Sequence, residues 1–137
     1  MSEQTLLRPI PPSQLQLVLD VKSPVARGES VTLTLALHNR SEQDEAVLLG
    51  YTSQEFDFSV GLPGGRQIWS RLYREVLTGM LRRWKLRPGG VLVFTHHWDQ
   101  RDNGGAPIAP GEYHVYGQLL GESDAWQAGP RRLLVIE

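Results

Sequence analysis

Val31-Thr32-Leu33-Thr34-Leu35-Ala36-Leu37-His38 is the stretch that decides the fold class. Val31, Leu33, Leu35 and Leu37 alternate with Thr32, Thr34, Ala36 and His38. A period of two sends alternate side chains to opposite faces of a strand, one apolar and one mixed. Toward the N-terminus, a break at Ser23-Pro24 and Ala26-Arg27-Gly28-Glu29 separates this strand from a second alternating run. There Leu15, Leu17, Leu19 and Val21 interleave with Gln16, Val18, Asp20 and Lys22. Before that run, Pro9, Pro11 and Pro12 favour extended backbone and cannot donate to a sheet. Residues 1–14 are therefore expected to be an extended tail, and residues 15–137 one domain.

Toward the C-terminus the pattern repeats. Residues 39–45 form a polar turn and residues 46–49 a short apolar strand. Phe56, Phe58 and Val60 then alternate with Asp57 and Ser59. Pro63-Gly64-Gly65 is a turn signal, so residues 66–71, centred on Ile68 and Trp69, should complete a hairpin. Residues 72–81 break the period of two. Tyr73, Val76, Leu77, Met80 and Leu81 recur at helical spacing, which predicts a short helical crossover weakened by Gly79. After Pro88-Gly89-Gly90, strands are expected over 91–98, 112–120 and 131–136, with a polar Gly- and Pro-rich loop over 100–110. The sum is an all-β chain: an antiparallel sandwich of about seven to eight strands.

Composition narrows the function. The 137 residues fit one domain with a true hydrophobic core. Fourteen basic residues against fifteen acidic ones leave a net charge of −1. That balance argues against a dedicated nucleic-acid binder, which needs a basic face for phosphates. Arg82, Arg83, Lys85 and Arg87 form the one local basic patch, read as a solvated loop or strand face. With no cysteine, disulfides, thiolate metal sites and a cysteine nucleophile are all excluded. No Gly-x-Ser-x-Gly elbow is present, and the glycine pairs at 64–65 and 104–105 sit between strands as turns rather than phosphate cradles. No catalytic residue and no cofactor are expected. The N-terminus shows no basic start followed by a long apolar run. Neither a signal peptide nor a membrane span is therefore expected, and the cytoplasm is the default compartment.

Pro110-Gly111-Glu112-Tyr113 gives the sandwich a more definite form. A tyrosine just after a turn, at the start of a late strand, resembles the tyrosine corner of immunoglobulin-like sandwiches, where the hydroxyl bonds upstream backbone. The alternative is a tyrosine packed at a strand end. Several motifs together resemble one family. Thr52-Ser53-Gln54-Glu55-Phe56-Asp57-Phe58-Ser59-Val60 is similar to its Ser-Gly-Gln-x-aromatic-Asp-Phe-x-Val strand, departing at Thr52-Ser53. Ile68-Trp69-Ser70 resembles its next hairpin strand. Leu86-Arg87-Pro88-Gly89 leads into Phe94 and Trp98-Asp99 as that family's following strand does. Pro110-Gly111-Glu112-Tyr113-His114-Val115-Tyr116-Gly117 resembles its Pro-Gly-x-Tyr-x-Val-x-Gly strand. The family is the intracellular proteinase inhibitors of BsuPI type. The resemblance runs from about Val31 to Leu120. It implies an immunoglobulin-like sandwich and inhibition of an intracellular subtilisin-like serine protease.

Two segments are candidates for protease contact. One is the 101–109 loop, with Arg101, Asp102, Asn103, Pro107 and Ile108. The other is the 72–81 segment, where Leu77 and Met80 offer large apolar side chains of the kind subtilisin-like pockets accept. Exposure favours the first. Trp84, beside the basic residues in an expected loop, and Trp126 are either exposed anchors or loop packing. Two other functions stay open. The chain can be a non-inhibitory protein-binding or assembly module, a homo-oligomer pairing through an edge strand at 15–21 or 131–136. Alternatively His97 and Asp99, which share a strand face, can join His114 from a neighbouring strand in a three-ligand metal site. Otherwise these three are exposed polar positions, with His96 facing inward beside Leu92, Phe94 and Trp98.

Overall fold

The computed structural model describes residues 14–42, 45–49, 54–76, 82–120 and 126–137. Among them are ten strands and no helix: β1 (Leu15–Val21), β2 (Val25–Ala26), β3 (Val31–Asn39), β4 (Glu45–Leu49), β5 (Phe56–Gly61), β6 (Gln67–Ser70), β7 (Arg82–Leu86), β8 (Val91–Trp98), β9 (Gly111–Leu119) and β10 (Gln127–Ile136). They form a three-stranded sheet β1-β3-β8, a five-stranded sheet β2-β10-β9-β5-β6 and a two-stranded ribbon β4-β7. The two larger sheets reproduce the A-B-E and G-F-C-C′ arrangement of immunoglobulin-like sandwiches. The expected 1–14 tail lies outside the described residues except for Gln14.

The core sits between the two larger sheets and follows the alternation in the sequence. In β3, Val31, Leu33, Leu35, Leu37 and Asn39 are buried and the residues between them half-buried. Facing them are Phe58 and Val60 of β5, Val115 and Leu119 of β9, and Leu133 and Val135 of β10, all essentially inaccessible. Burying each such side chain contributes about 1.5–3 kcal/mol, which makes the alternation a strong determinant of register. The inward row of β8 is Leu92, Phe94, His96 and Trp98, as expected. Trp98 tilts against Trp69 at 5.2 Å, and His96 stacks on Trp69 at 5.6 Å.

At Gly117 the opposite sheet leaves no room for a side chain. A Cβ there would stand 2.7 Å from Leu35 Cδ1 and 3.3 Å from Leu19 Cδ1. The last residue of the Pro-Gly-x-Tyr-x-Val-x-Gly stretch is thus glycine because two leucines already fill its side-chain space.

Three expectations are corrected. Among the described residues the helical crossover is not seen: residues 71–74 form a turn. Arg74 has φ 62°, which a right-handed helix cannot contain. Residues 77–81 lie outside the described residues. Residues 82–86, expected as a loop, form β7, paired to β4 with Trp84 opposite Val47. β10 begins at Gln127 rather than 131. Its register with β9 shifts between Ala128 and Arg131, a bulge that accommodates Pro130, which has no N–H to give.

Asn39 fixes the point where the β4-β7 ribbon leaves the sandwich. Fully buried, it donates from Nδ2 to Leu86 O at 2.9 Å, and its Oδ1 accepts from Ser41 N at 2.8 Å and Ser41 Oγ at 2.7 Å. Its backbone N–H donates to Gly90 O, and its carbonyl accepts from Gly89 N.

Candidate functional site

The loop between β8 and β9 is built as a closed, bonded unit. Arg101 bridges to Pro107. Asp102 Oδ1 accepts from Gly104 N and Ala106 N, both at 2.9 Å. Asn103 attaches the loop to β6: its N–H donates to Ile68 O, its Oδ1 accepts from Ser70 N at 2.9 Å, and its Nδ2 donates to Ser70 O at 3.1 Å. The side chain stands in for a neighbouring strand along that edge. At the loop's end the Tyr113 hydroxyl donates to Ala109 O at 2.5 Å, four residues upstream. This is the tyrosine-corner bond.

Gln100, at φ 61° and 2% exposed, ties this loop to the β2 region. Its Nε2 donates to Ala26 O and Glu29 O, and its Oε1 accepts from Gly28 N. Sequence reasoning passed over Gln100 and Asn39 as loop or turn polar residues and read Asn103 only as a contact candidate, because the anchoring role of each rests on a partner distant in sequence.

Of the loop residues expected to make contact, Arg101 and Pro107 are exposed and Asp102 and Asn103 are spent on internal bonds. Ile108 is a correction. It is 7% exposed and belongs to the core, since its N–H bonds Gln100 O and seats it beneath the loop. The exposed tip is Gly104, Gly105, Ala106 and Pro107, with no large side chain to fill a pocket.

The segment after β6 differs. Its base is held by Arg71 N to Phe58 O, Arg71 Nη2 to Phe56 O at 2.6 Å, Leu72 N to Asp57 Oδ1 at 3.1 Å, and Tyr73 N to Ser70 O. The Arg71 guanidinium lies 3.8 Å over the Phe56 ring, a cation–π contact that keeps it against the sheet. Burial pushes the Asp57 carboxyl above the usual aspartate range. The N–H groups of Leu72, Phe58 and Arg71, with the Arg71 charge, only partly offset this. At its far end Gln54 Nε2 donates to Val76 O at 3.1 Å. Between these anchors Tyr73 is 45% and Val76 76% exposed. Leu77 and Met80 lie outside the described residues.

Trp84 and Trp126 are half-buried and packed against the core, which corrects their reading as free anchors. Trp84 sits on a paired strand, and Trp126 precedes β10, its carbonyl accepting from Leu119 N. His97 and His114 do not meet. β8 and β9 belong to different sheets. His97 Nδ1 contacts Thr32 Oγ1 at 3.2 Å, and His114 Nε2 lies 3.5 Å from Glu112. Among the described residues no group of three His, Asp or Glu side chains is placed to hold a metal.

The model of the BsuPI family, described as intracellular proteinase inhibitor, matches residues 18–124. The chain belongs to that family. That description is of an inhibitor family and not of an enzyme family. The match spans β1 to β9, including the segment after β6 and the β8–β9 loop. No curated protein matches the sequence.

Among solved structures, a β-glucosidase from Listeria innocua in complex with gluconolactone is 12% identical with a TM-score of 0.50, covering 90% of this chain and 16% of that one. The Pseudomonas fluorescens alkylpurine DNA glycosylase AlkC is 13% identical with a TM-score of 0.51, covering 90% and 31%. The C-terminal domain of wzt is 9% identical with a TM-score of 0.50, covering 90% and 74%. This chain thus spans under a third of the first two proteins. The likeness is one of fold, shared by proteins of unrelated activity. Among the described residues no helix is long and apolar enough to cross a membrane.

Proposed function

We propose that this inhibitor-family chain blocks an intracellular subtilisin-like serine protease, and that the contact is made by the segment after β6, through Tyr73 and Val76. The observation that carries this is the pairing of exposure with anchorage. Val76 is the most exposed large apolar residue among those described, on a segment bonded at both ends to the sheet or its flank. A protease pocket can take a large apolar or aromatic side chain that a rigid scaffold holds out into solvent, and here the turn at 71–74 presents Tyr73 and Val76 in that way. Anchors at Asp57, Phe58 and Gln54 hold the segment before binding, so little ordering entropy is lost on association. The 101–109 loop, favoured by its polar sequence, is rigid as well but offers only small residues at its tip.

The test uses the full chain and a purified intracellular subtilisin-like protease. Tyr73→Ala and Val76→Asp leave the anchoring bonds in place. Each is expected to weaken inhibition at least tenfold without lowering the melting temperature. Unchanged inhibition by both variants, with loss on Arg101→Ala or Pro107→Ala, would move the contact to the other loop.

A further inference from the structure

We infer that β8 is a self-association edge, pairing antiparallel with β8 of a second copy across a two-fold axis at Phe94. The other strand edges of the two sheets are blunted. β2 has two residues. The edge of β6 is capped by Asn103. β1 is flanked by β10, whose Arg131 Nε donates to Leu19 O at 2.9 Å. Of the edge expected at 131–136, Val135 and Ile136 pair with β2 and Leu134 N donates to Ser23 Oγ at 2.9 Å, so little of that stretch stays open. β8 is eight residues long, and among the described residues no strand lies on its far side. It carries no proline, lysine, arginine, aspartate or glutamate. It has none of the usual devices that stop strand-to-strand association.

The register shows what is free. Asn39 N donates to Gly90 O, and β3 pairs with β8 as Leu37↔Leu92, Leu35↔Phe94 and Leu33↔His96. Antiparallel alternation then turns the N–H and C=O groups of Val91, Val93, Thr95 and His97 outward. None of these main-chain groups has a partner among the described residues.

A second copy fits these groups. With the axis at Phe94, Val91 faces His97 and Val93 faces Thr95 of the other copy, in both directions. All four outward residues of each strand then enter hydrogen-bonded pairs, about eight main-chain bonds in total. Side chains stay on matching faces. Half-buried Phe94 meets its own copy and Leu92 meets His96 on the inner side. On the outer side Val91, 45% exposed, and Val93, 53% exposed, are covered by His97 and Thr95. Charges beyond the strand agree as well. Asp99 comes opposite Gly89 of the second copy, two residues from exposed Arg87. A strand bearing like charges would repel its copy in this arrangement; this one has none.

The experiment is sedimentation equilibrium of the full chain from about 1 µM to about 1 mM, with amide hydrogen exchange at both ends of the range. The expected result is a mass rising from 15.4 kDa to twice that. The amides of Val91, Val93, Thr95 and His97 should gain protection with concentration, while those of Leu92 and Phe94 should not change. Val93→Lys and Val93→Pro, the latter removing an outward N–H that β3 does not use, should each weaken dimerisation at least tenfold, about 1.4 kcal/mol, with unchanged circular dichroism. A monomer throughout, whether its edge amides are open or protected by the chain's own residues, would overturn the inference. So would a dimer that both variants leave intact. Protease inhibition is a separate readout and does not enter this result.

Discussion

Substituting Gly117 by alanine puts a methyl group where Leu35 Cδ1 would stand 2.7 Å away and Leu19 Cδ1 3.3 Å away. Carbon atoms pack comfortably at about 3.5–4.0 Å, so the leucine must give by most of an ångström. Leu35 is fully buried and has no open space to rotate into. Overpacking of this kind costs about 1–3 kcal/mol. Alanine restricts the unfolded chain more than glycine does, which returns about 0.4–1 kcal/mol. The difference spans about 0–2.6 kcal/mol, and the full burial of Leu35 puts the expectation in its upper part, a loss of about 1–2 kcal/mol. With an unfolding entropy near 2.1 cal/mol/K per residue, that lowers the melting temperature by about 3–7 °C. Urea unfolding should show a reduced midpoint and an unchanged slope. Leu35→Val alone should cost about 1 kcal/mol through lost packing. In the double variant the new methyl occupies the space the leucine vacated, so the two losses should sum to less than the separate values by about 1 kcal/mol. A Gly117→Ala protein as stable as the parent, or a strictly additive double variant, would refute the close approach of β9 to β3.

Tyr113→Phe removes the corner bond to Ala109 O and keeps the ring, so urea unfolding should show a loss of about 1 kcal/mol. Asn39→Ala removes three side-chain hydrogen bonds in a fully buried site, and a loss of about 2–4 kcal/mol is expected. Its hydrogen exchange should open β4 and β7 before the main sheets. His96 has its pKa held below the ordinary value of about 6.5, first by burial and then by the Arg71 and His97 charges, with Asp99 opposing. The unfolded chain therefore binds this proton more readily. The stability that neutral His96 allows is present above pH 6.5 and is lost as pH falls through its folded value. Urea midpoints at pH 7.5 and 5.5 should diverge in the parent and draw together in His96→Phe.

Legibility in the sequence followed burial. β3, β5 and β9 bury every second residue against the opposite sheet, so each shows a period of two. The tyrosine corner was legible because turn, tyrosine and bond lie within five residues. β7 was not, since Arg-Arg-Trp-Lys-Leu pairs only with β4 and lacks the apolar alternation of a core strand. The 72–81 segment misled for a related reason. Tyr73 and Val76 stand at helical spacing, yet both face solvent, so their spacing reflects no buried stripe. Asp57 captures the Leu72 N–H, and Arg74 turns to positive φ. At the candidate site, sequence pointed to both segments and leaned to the 101–109 loop on expected exposure, because the apolar spacing over 72–81 suggested burial. The structure separates them by where large apolar side chains remain exposed. Gln100 and Asn103 look like ordinary loop residues because their partners are 71–74 and 33–35 positions away.

The central question is whether this family member inhibits through Tyr73 and Val76. The direct measurement is active-site titration of a purified intracellular subtilisin-like protease with the parent chain and with the Tyr73→Ala, Val76→Asp double variant. A stoichiometric endpoint is expected for the parent and residual activity throughout for the double variant, whose melting curve should match the parent's. Full protease activity at micromolar parent chain, or equal endpoints for the two proteins, would contradict this expectation.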